Sequence, residues 1–228
     1  MARAASSVLA EPGLAAIASA ARAVQLDIFG AFHPGQGDGA PEGAETLVLL
    51  GPLEPGFWAA VTAAPEWADG RADPLDRWSA RVMDDLAACF GAHALFPFGG
   101  PPHRPFQAWA LASGAAWESP VRLLVHERAG LMASYRGALA LPARLALPAP
   151  PAAPPCADCA RPCLAACPVG ALSLAGYDLP ACHGFLDTAP GAECMGRGCA
   201  VRRACPVSRS YGRLVQQSAY HMGLFHRS

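Results

Sequence analysis

The sequence has no lysine and no asparagine, and charged side chains are scarce throughout. Only 15% of its 228 residues are charged and the net charge is −1, which excludes a broad basic surface of the kind that attracts nucleic acids. No apolar run reaches the ~18 residues that cross a bilayer without a proline or glycine break. We therefore expect neither a nucleic-acid partner nor a membrane span.

The N-terminal residues lack the uninterrupted apolar core of a secretory signal. Glu11 and Pro12 interrupt an alanine-rich stretch, and Arg22 follows soon after. From Leu14 to Leu26 the spacing of apolar residues predicts an amphipathic helix instead. We expect a cytoplasmic protein.

Residues 1–147 carry alternating helix and strand patterns, which predict an α/β (α+β) layered domain around a central sheet. A strand is predicted at Asp27–Phe32, and the apolar run AETLVLLGPL predicts a buried one. Short strand and helix patterns follow in AHALFPFGG and RPFQAWALASG. Two further strands are predicted around a turn near Ala129–Gly130.

The longest predicted helix lies in DPLDRWSARVMDDLAACFG. Its apolar residues recur at steps of three and four, which is the period of a helix with one buried face. Asp73 is placed to cap its first turn, and Gly91 is placed to end it. Cys89 falls on the apolar side, where we expect a small core residue.

Proline divides the chain. Residues 148–155 read PAPPAAPP and predict a stiff linker. Residues 156–206 predict a small module of loops with short helices after Cys159 and Cys199. Residues 207–228 predict a C-terminal helix over Ser208–Leu224.

Cysteine is concentrated in one segment. Of nine cysteines, eight lie between Cys156 and Cys205, and Cys89 stands apart. Disulfide scaffolds spread their cysteines through small secreted domains. Eight cysteines packed behind a long apolar region favour metal or cluster binding in a reducing compartment.

The first four of these cysteines follow the spacing of bacterial ferredoxins. Residues 156–168 read CADCARPCLAACP, which differs from C-x2-C-x2-C-x3-C-P by one added residue, Pro162. In that pattern three thiolates on a tight loop bind one cluster. The fourth, followed by proline, binds the other. A second Cys-Pro step occurs at Cys205.

The two Cys-Pro steps predict two [4Fe–4S] clusters with crossed ligands. The ligands of the first are Cys156, Cys159, Cys163 and Cys205. The ligands of the second are Cys167, Cys182, Cys194 and Cys199. Two zinc sites, disulfides, or one cluster with spare thiols remain alternatives. Six nearby arginines can offset thiolate charge: Arg161, Arg197, Arg202, Arg203, Arg209 and Arg213.

The cysteine segment resembles the two-cluster module of epoxyqueuosine reductases and the related reductive dehalogenases. The resemblance is carried by CADCARPCLAACPVGAL, YDLPACHGFL and GCAVRRACPV, and upstream by the segment from PFQAWALASG to LALPARL. It covers roughly residues 10–210. It implies a nitroreductase-like domain that binds cobalamin, fused to a bacterial-ferredoxin-like module whose clusters reduce the corrin cobalt.

The chain departs from that family in three places. The family's catalytic acid would fall near Gly100, but no Asp or Glu occurs between Asp85 and Glu118. His103 is the one candidate to replace it as a proton donor. Glu118-Ser119-Pro120 replaces a further family motif, and the family's C-terminal repeats have no counterpart. We therefore expect a truncated relative that does not act on tRNA.

Several functions agree with these patterns. The first is electron transfer through two clusters, with a redox protein or a small electron donor as partner. The alternative is a cobalamin-binding or cobalamin-dependent oxidoreductase. Two others are an oxidoreductase on a small substrate, with His103 or Glu118 as acid, and a scaffold stabilised by its clusters. Electron transfer requires only the cysteines, so it is our first prediction.

Overall fold

The structure is a computed structural model that describes residues 13–151 and 153–226. The start of the expected N-terminal domain, with the interrupted alanine-rich stretch, lies outside the described residues. So do Ala152 of the expected linker and residues 227–228 at the end of the segment 207–228. No helix in the described part of the chain is long and apolar enough to cross a membrane.

A four-stranded antiparallel sheet forms the centre of the N-terminal region, so the expected mixed α/β class with a central sheet is confirmed. The strand order is β1-β2-β6-β3. Its strands are β1 (Leu26–Phe32), β2 (Thr46–Pro52), β3 (His93–Leu95) and β6 (Gly137–Leu141). Two more strands, β4 (Ala116–Glu118) and β5 (Leu124–His126), pair in a separate small sheet.

The expected turn near Ala129–Gly130 does not join two strands of one hairpin. β5 pairs with β4, whereas β6 pairs with β2 and β3. Residues 127–136 connect them, and a connection of this length exceeds the two to five residues of a tight hairpin loop. The chain uses it to pass from the small sheet to the central one.

Helices cover both faces of the central sheet. The helices of this region are α1 (Leu14–Ala23), α2 (Gly56–Thr62), α3 (Pro65–Ala68), α4 (Pro74–Phe90) and α5 (Phe106–Ala112). Val48 and Leu50 of β2 pack with α1, α2 and α4, while Leu47 and Leu49 pack with α5. Because successive strand residues point to opposite faces, this arrangement explains the continuous apolar run in β2.

The ends of α4 correct two sequence predictions. Gly91 ends the helix with a left-handed backbone (φ 60°), as predicted. Asp73 directly precedes it, but its backbone is also left-handed, not extended as a capping residue requires. Its side chain makes no capping hydrogen bond. Cys89 is exposed and is not a core residue, because it follows the exposed Asp85 by four residues on the solvent side of α4, while Phe90 of the same turn packs on the core.

The cysteine-rich region consists of short elements. In chain order these are β7 (Leu172–Ser173), β8 (Gly176–Tyr177), α6 (Leu179–Leu186), α7 (Ala192–Arg197), α8 (Ala200–Ala204), α9 (Pro206–Ser210) and α10 (Val215–Phe225), with 3₁₀ turns at Pro162–Ala165 and Ala189–Gly191. The predicted single helix over Ser208–Leu224 is wrong. Gly212 adopts φ 84°, which ends α9 before α10 begins.

The cysteine-rich region packs directly on the small sheet. Val121, Val125 and Leu131 share one apolar cluster with Leu172 and Val201 and with two of the cysteines. On another side, Tyr220 of α10 lies against Trp58 and Trp67, with ring centroids 5.2 and 5.1 Å away. The described residues on the two sides of the segment 148–155 therefore share apolar and aromatic contacts.

A loop at residues 126–131, which we call the anchor loop, is fixed to β1. His126 is fully buried and stacks on Phe29, and its Nε2 lies 3.2 Å from the Phe29 carbonyl oxygen. Its Nδ1 accepts hydrogen bonds from the backbone N–H groups of Arg128 and Ala129. Burial lowers the pKa of His126 to about 4, so the ring is neutral near pH 7.

A buried ion pair completes this attachment. Asp27 of β1 is 3% exposed and accepts hydrogen bonds from Arg128 at 2.5 Å, Arg22 at 3.2 Å and the backbone N–H of Ile28. Burial alone would raise the pKa of Asp27, but the bond and charge of Arg128 outweigh it and the pKa is lowered. The carboxylate therefore stabilises the fold above its unfolded pKa, and this contribution is lost as pH falls through the lower folded value.

We expect Asp27→Asn to lower the free energy of unfolding at pH 7 by about 1–3 kcal/mol, because it removes the buried carboxylate from Arg22 and Arg128 and leaves Arg128 only the more distant Glu127, at 3.7 Å. Urea unfolding at pH 7 and at pH 3 measures the effect, and the difference from wild type should shrink at pH 3. Glu118→Gln is the control, since Glu118 and Arg122 are both more than half exposed and the loss should stay below about 1 kcal/mol. Equal losses at both pH values would contradict this role of the Asp27 charge.

Candidate metal centres

Four cysteines line a cavity of about 390 Å³ between the small sheet and the start of the cysteine-rich region. We call it cavity A, and its cysteines are Cys156, Cys159, Cys163 and Cys205. Val125 and Leu131 form part of its wall. Cysteines up to 49 positions apart in the sequence therefore line one cavity.

The tight loop of cavity A is built around a left-handed residue. Arg161 adopts φ 55°, and its backbone N–H donates to the Cys159 Sγ at 3.3 Å. Pro162, the residue added to the ferredoxin-like spacing, begins the 3₁₀ turn that carries Cys163. Cys163 is 6% exposed. The added residue therefore changes the loop into a turn that buries the third sulfur.

One hydroxyl group in the wall of cavity A has no partner among the described residues. Ser119 is 4% exposed, and its buried Oγ makes no hydrogen bond. A buried hydroxyl without a partner costs free energy, commonly about 1–3 kcal/mol. The wall of this cavity thus holds an unpaired donor beside four sulfur atoms, which fits an occupant that accepts hydrogen bonds.

The other four cysteines of the cysteine-rich region line a second cavity of about 240 Å³, which we call cavity B. They are Cys167, Cys182, Cys194 and Cys199. The backbone N–H of Ala171 donates to the Cys167 Sγ at 3.2 Å, and the Tyr177 hydroxyl donates to the Cys182 Sγ at 3.3 Å. Cys194 lies inside α7, and Cys199 directly precedes α8.

The thiols in each cavity disfavour one another's ionisation. Burial and the neighbouring cysteines raise the pKa of Cys156 and Cys163 in cavity A. Burial raises the pKa of Cys182 in cavity B, and Cys199, Cys167 and Cys194 add to the shift although Tyr177 opposes it. Thiolates are the form that binds metals. A cation in each cavity would supply the positive charge that four thiolates need.

Two short segments connect the cavities. The 3₁₀ turn at Pro162–Ala165 runs from Cys163 toward Cys167, and α8 runs from Cys199 to Cys205. Six residues at helical rise separate Cys199 from Cys205 by about 9 Å along the axis. Each segment therefore begins at one cavity and ends at the other, and the cavities are close neighbours.

Other sequence candidates lie outside both cavities. Among the described lining residues neither cavity includes His103, which is exposed in the loop before α5. Glu118 is exposed and pairs with Arg122 at 3.3 Å. His183 follows Cys182, but its Nδ1 lies 2.7 Å from the Nδ1 of His226. His183 is thus a polar neighbour of the cysteines and lines neither cavity.

Sequence reasoning missed two residues of the cavity walls, Ser119 and Tyr177, and also Gly130, which lies against Cys205. Each acts through its position in space, and no spacing to the cysteines marks it. Tyr177 offered a weak signal, as a hydroxyl five positions before Cys182. Gly130 offered a different one, as a glycine at a turn.

Among residues 13–151 and 153–226, no group of three or more His, Cys, Asp or Glu side chains is arranged to hold a metal ion. The ligands of a multi-iron cluster bind different iron atoms and do not converge on one point. No family model, curated protein or solved structure matches the chain.

Gly130 in the anchor loop leaves no room for a side chain. A β-carbon there would lie 2.5 Å from the Ser208 backbone nitrogen and 3.0 Å from the Cys205 Sγ, and the backbone is left-handed (φ 56°). Gly91 has nearly the same backbone (φ 60°) but nothing within 4 Å of the added carbon. Substitution of Gly91 thus measures the cost of the left-handed backbone alone, and substitution of Gly130 measures that cost together with the cost of the close contact.

We expect Gly130→Ala to destabilise the protein by about 1–3 kcal/mol more than Gly91→Ala, because only the former forces atoms together. Gly91→Ala carries the left-handed backbone penalty of about 1–2 kcal/mol. Urea midpoints of both variants measure the difference. Equal midpoints would show that the contact with Cys205 and Ser208 is not close-packed in solution.

Proposed function

We propose that the chain is an iron–sulfur protein that binds one [4Fe–4S] cluster in each cavity and transfers electrons through the pair. The observation that carries the proposal is the grouping of eight cysteines into two sets of four around two cavities. Each set combines cysteines from both ends of the cysteine-rich region. This is the crossed arrangement that the two Cys-Pro steps predict.

The chemistry of the walls fits the cluster. In each cavity one backbone N–H points at a cysteine sulfur, and such hydrogen bonds offset the negative charge of cluster ligands. The apolar side chains of Val121, Val125 and Leu131 exclude water from the cysteines packed with them. Ser119 supplies the further donor in cavity A.

The alternatives fit less well. Structural zinc sites commonly pair two Cys-x2-Cys steps, and the cysteine-rich region contains one, Cys156–Cys159. All nine cysteines are free thiols, and those of each set surround a cavity. A purely structural role does not explain why two sites lie as neighbours along α8.

The proposed role follows from what the bound clusters supply, which is one-electron exchange at potentials tuned by the surrounding protein. The chain's own part is to hold the two sites close together, since α8 and the 3₁₀ turn at Pro162–Ala165 each connect one cavity to the other. A redox protein or a small electron donor would be the partner.

We expect the anaerobically purified protein to contain about eight irons and eight acid-labile sulfides, with visible absorption that dithionite bleaches. Cys163→Ser should lose about half of the iron, because it removes a ligand of cavity A. Cys89→Ser is the matched control and should keep the full iron content, since Cys89 is exposed on α4.

Two outcomes would contradict the proposal. Full iron content in Cys163→Ser would show that this residue is not a ligand, and about two zinc ions without colour would exclude redox chemistry at these sites. Adding hydroxocobalamin to the same sample tests the corrinoid prediction made from the resemblance. A changed corrin spectrum would extend the function to cobalamin reduction.

A further inference from the structure

The two cavities offer nearly the same neutral hydrogen-bond donors. Cavity A has the backbone N–H of Arg161 and the unpartnered hydroxyl of Ser119. Cavity B has the backbone N–H of Ala171 and the hydroxyl of Tyr177. Neutral donors therefore give no reason for the bound clusters to differ in reduction potential.

The charged residues differ between the cavities. Among the described lining residues of cavity A, the charged ones are Asp158 and Arg161, which are both exposed and opposite in sign. Cavity B is lined by Arg202 and Arg213, both partly buried, and by no carboxylate among its described lining residues. The charged side chains that line cavity B are therefore both positive.

Of the two arginines, Arg202 has the less compensated positive charge. Its Nη1 donates to the Leu131 carbonyl oxygen, and it makes no ion pair with a carboxylate of the described residues. Burial lowers the pKa of Arg202, while the nearby Cys199 and Tyr177 oppose the shift. An arginine stays protonated near pH 7. A buried guanidinium without a carboxylate is costly, so an anionic occupant of cavity B would stabilise it.

Arg213 contributes a second, partly compensated charge. Its Nε donates to the Ser218 hydroxyl at 3.2 Å and its Nη1 to the Met132 carbonyl oxygen at 3.3 Å. Burial and the charge of Arg202 lower the pKa of Arg213 to about 10, while Glu54 opposes the shift. The group is still charged near pH 7. Glu54 is itself buried, which raises the pKa of its carboxyl and weakens this compensation.

A third basic group in cavity B is neutral. His221 lines the cavity with the two arginines. Burial and the charges of Arg213, Arg136 and Arg202 lower the pKa of His221 to about 2. The electrostatic difference between the cavities therefore comes from Arg202 and, to a smaller extent, from Arg213.

We propose, on the basis of the proposed function, that Arg202 and Arg213 raise the reduction potential of the cluster in cavity B above that in cavity A. Reduction adds one electron and makes the cluster with its four thiolates more negative by one charge. A nearby fixed positive charge stabilises the reduced form more than the oxidised form. The first electron taken up by the protein accordingly resides at cavity B.

An anaerobic redox titration with dithionite, followed by EPR spectroscopy, tests the proposal. Wild type should show two one-electron steps. Arg202→Gln should lower the potential of the upper step by at least 59 mV, which for one electron is a tenfold change in the reduction equilibrium. Arg202→Lys keeps the positive charge, so its upper step should lie close to that of the wild type. Arg144→Gln is the control and should move neither step, because Arg144 is exposed, pairs with Glu45 at 3.6 Å and lines neither cavity.

Arg213→Gln provides a second test if Arg202→Gln does not retain its clusters. It should shift the upper step in the same direction but by less, because Glu54 offsets part of its charge. Iron content is measured for every sample. A wild type without iron would overturn the proposed function itself. Eight irons with an upper step that neither substitution moves, or with only the lower step moved, would overturn the inference alone.

Discussion

The cost of ionising thiols that are buried around a common cavity dominates the cysteine-rich region. Burial and neighbouring sulfurs raise the pKa of Cys156, Cys163 and Cys182, so the ionised form of each set needs positive charge nearby. The helices that carry these residues are too short to be stable alone, since isolated helices below about 12 residues are marginal in water. What holds them in the described structure is packing on Val121 and Val125, and the proposed clusters would add to that support.

The N-terminal region accordingly acts as the rigid support of the site. Its central sheet is covered on both faces, and β1 holds the anchor loop through Asp27 and the buried ring of His126. That loop in turn presents Gly130 to Cys205 at a distance that only a glycine permits. A chain of contacts therefore runs from the core of the sheet to one sulfur of cavity A.

The sequence predicted those features that follow from local patterns. The period of α4, the two faces of β2 and the Cys-Pro steps each depend on residues close together in the chain. The separate small sheet and the break at Gly212 depend on which elements pack together, and no spacing reports that. Cys89, by contrast, follows the exposed Asp85 by one helical turn, so its position on the solvent side is contained in the spacing of α4. Asp73 shows the limit within a local pattern, because a capping residue type is of no use when its backbone is left-handed.

The break between α9 and α10 links these unpredicted features to the electrostatics. Arg213 lies in that break, and its guanidinium bonds back to Ser218 of α10 and to the Met132 carbonyl, which follows the anchor loop. Arg202 reaches Leu131 of the same loop from α8. Both cations are thus tied to the support that also shapes cavity A, where the charged wall residues are exposed and cancel. The asymmetry between the cavities therefore rests on two guanidinium groups that backbone carbonyl oxygens hold in place.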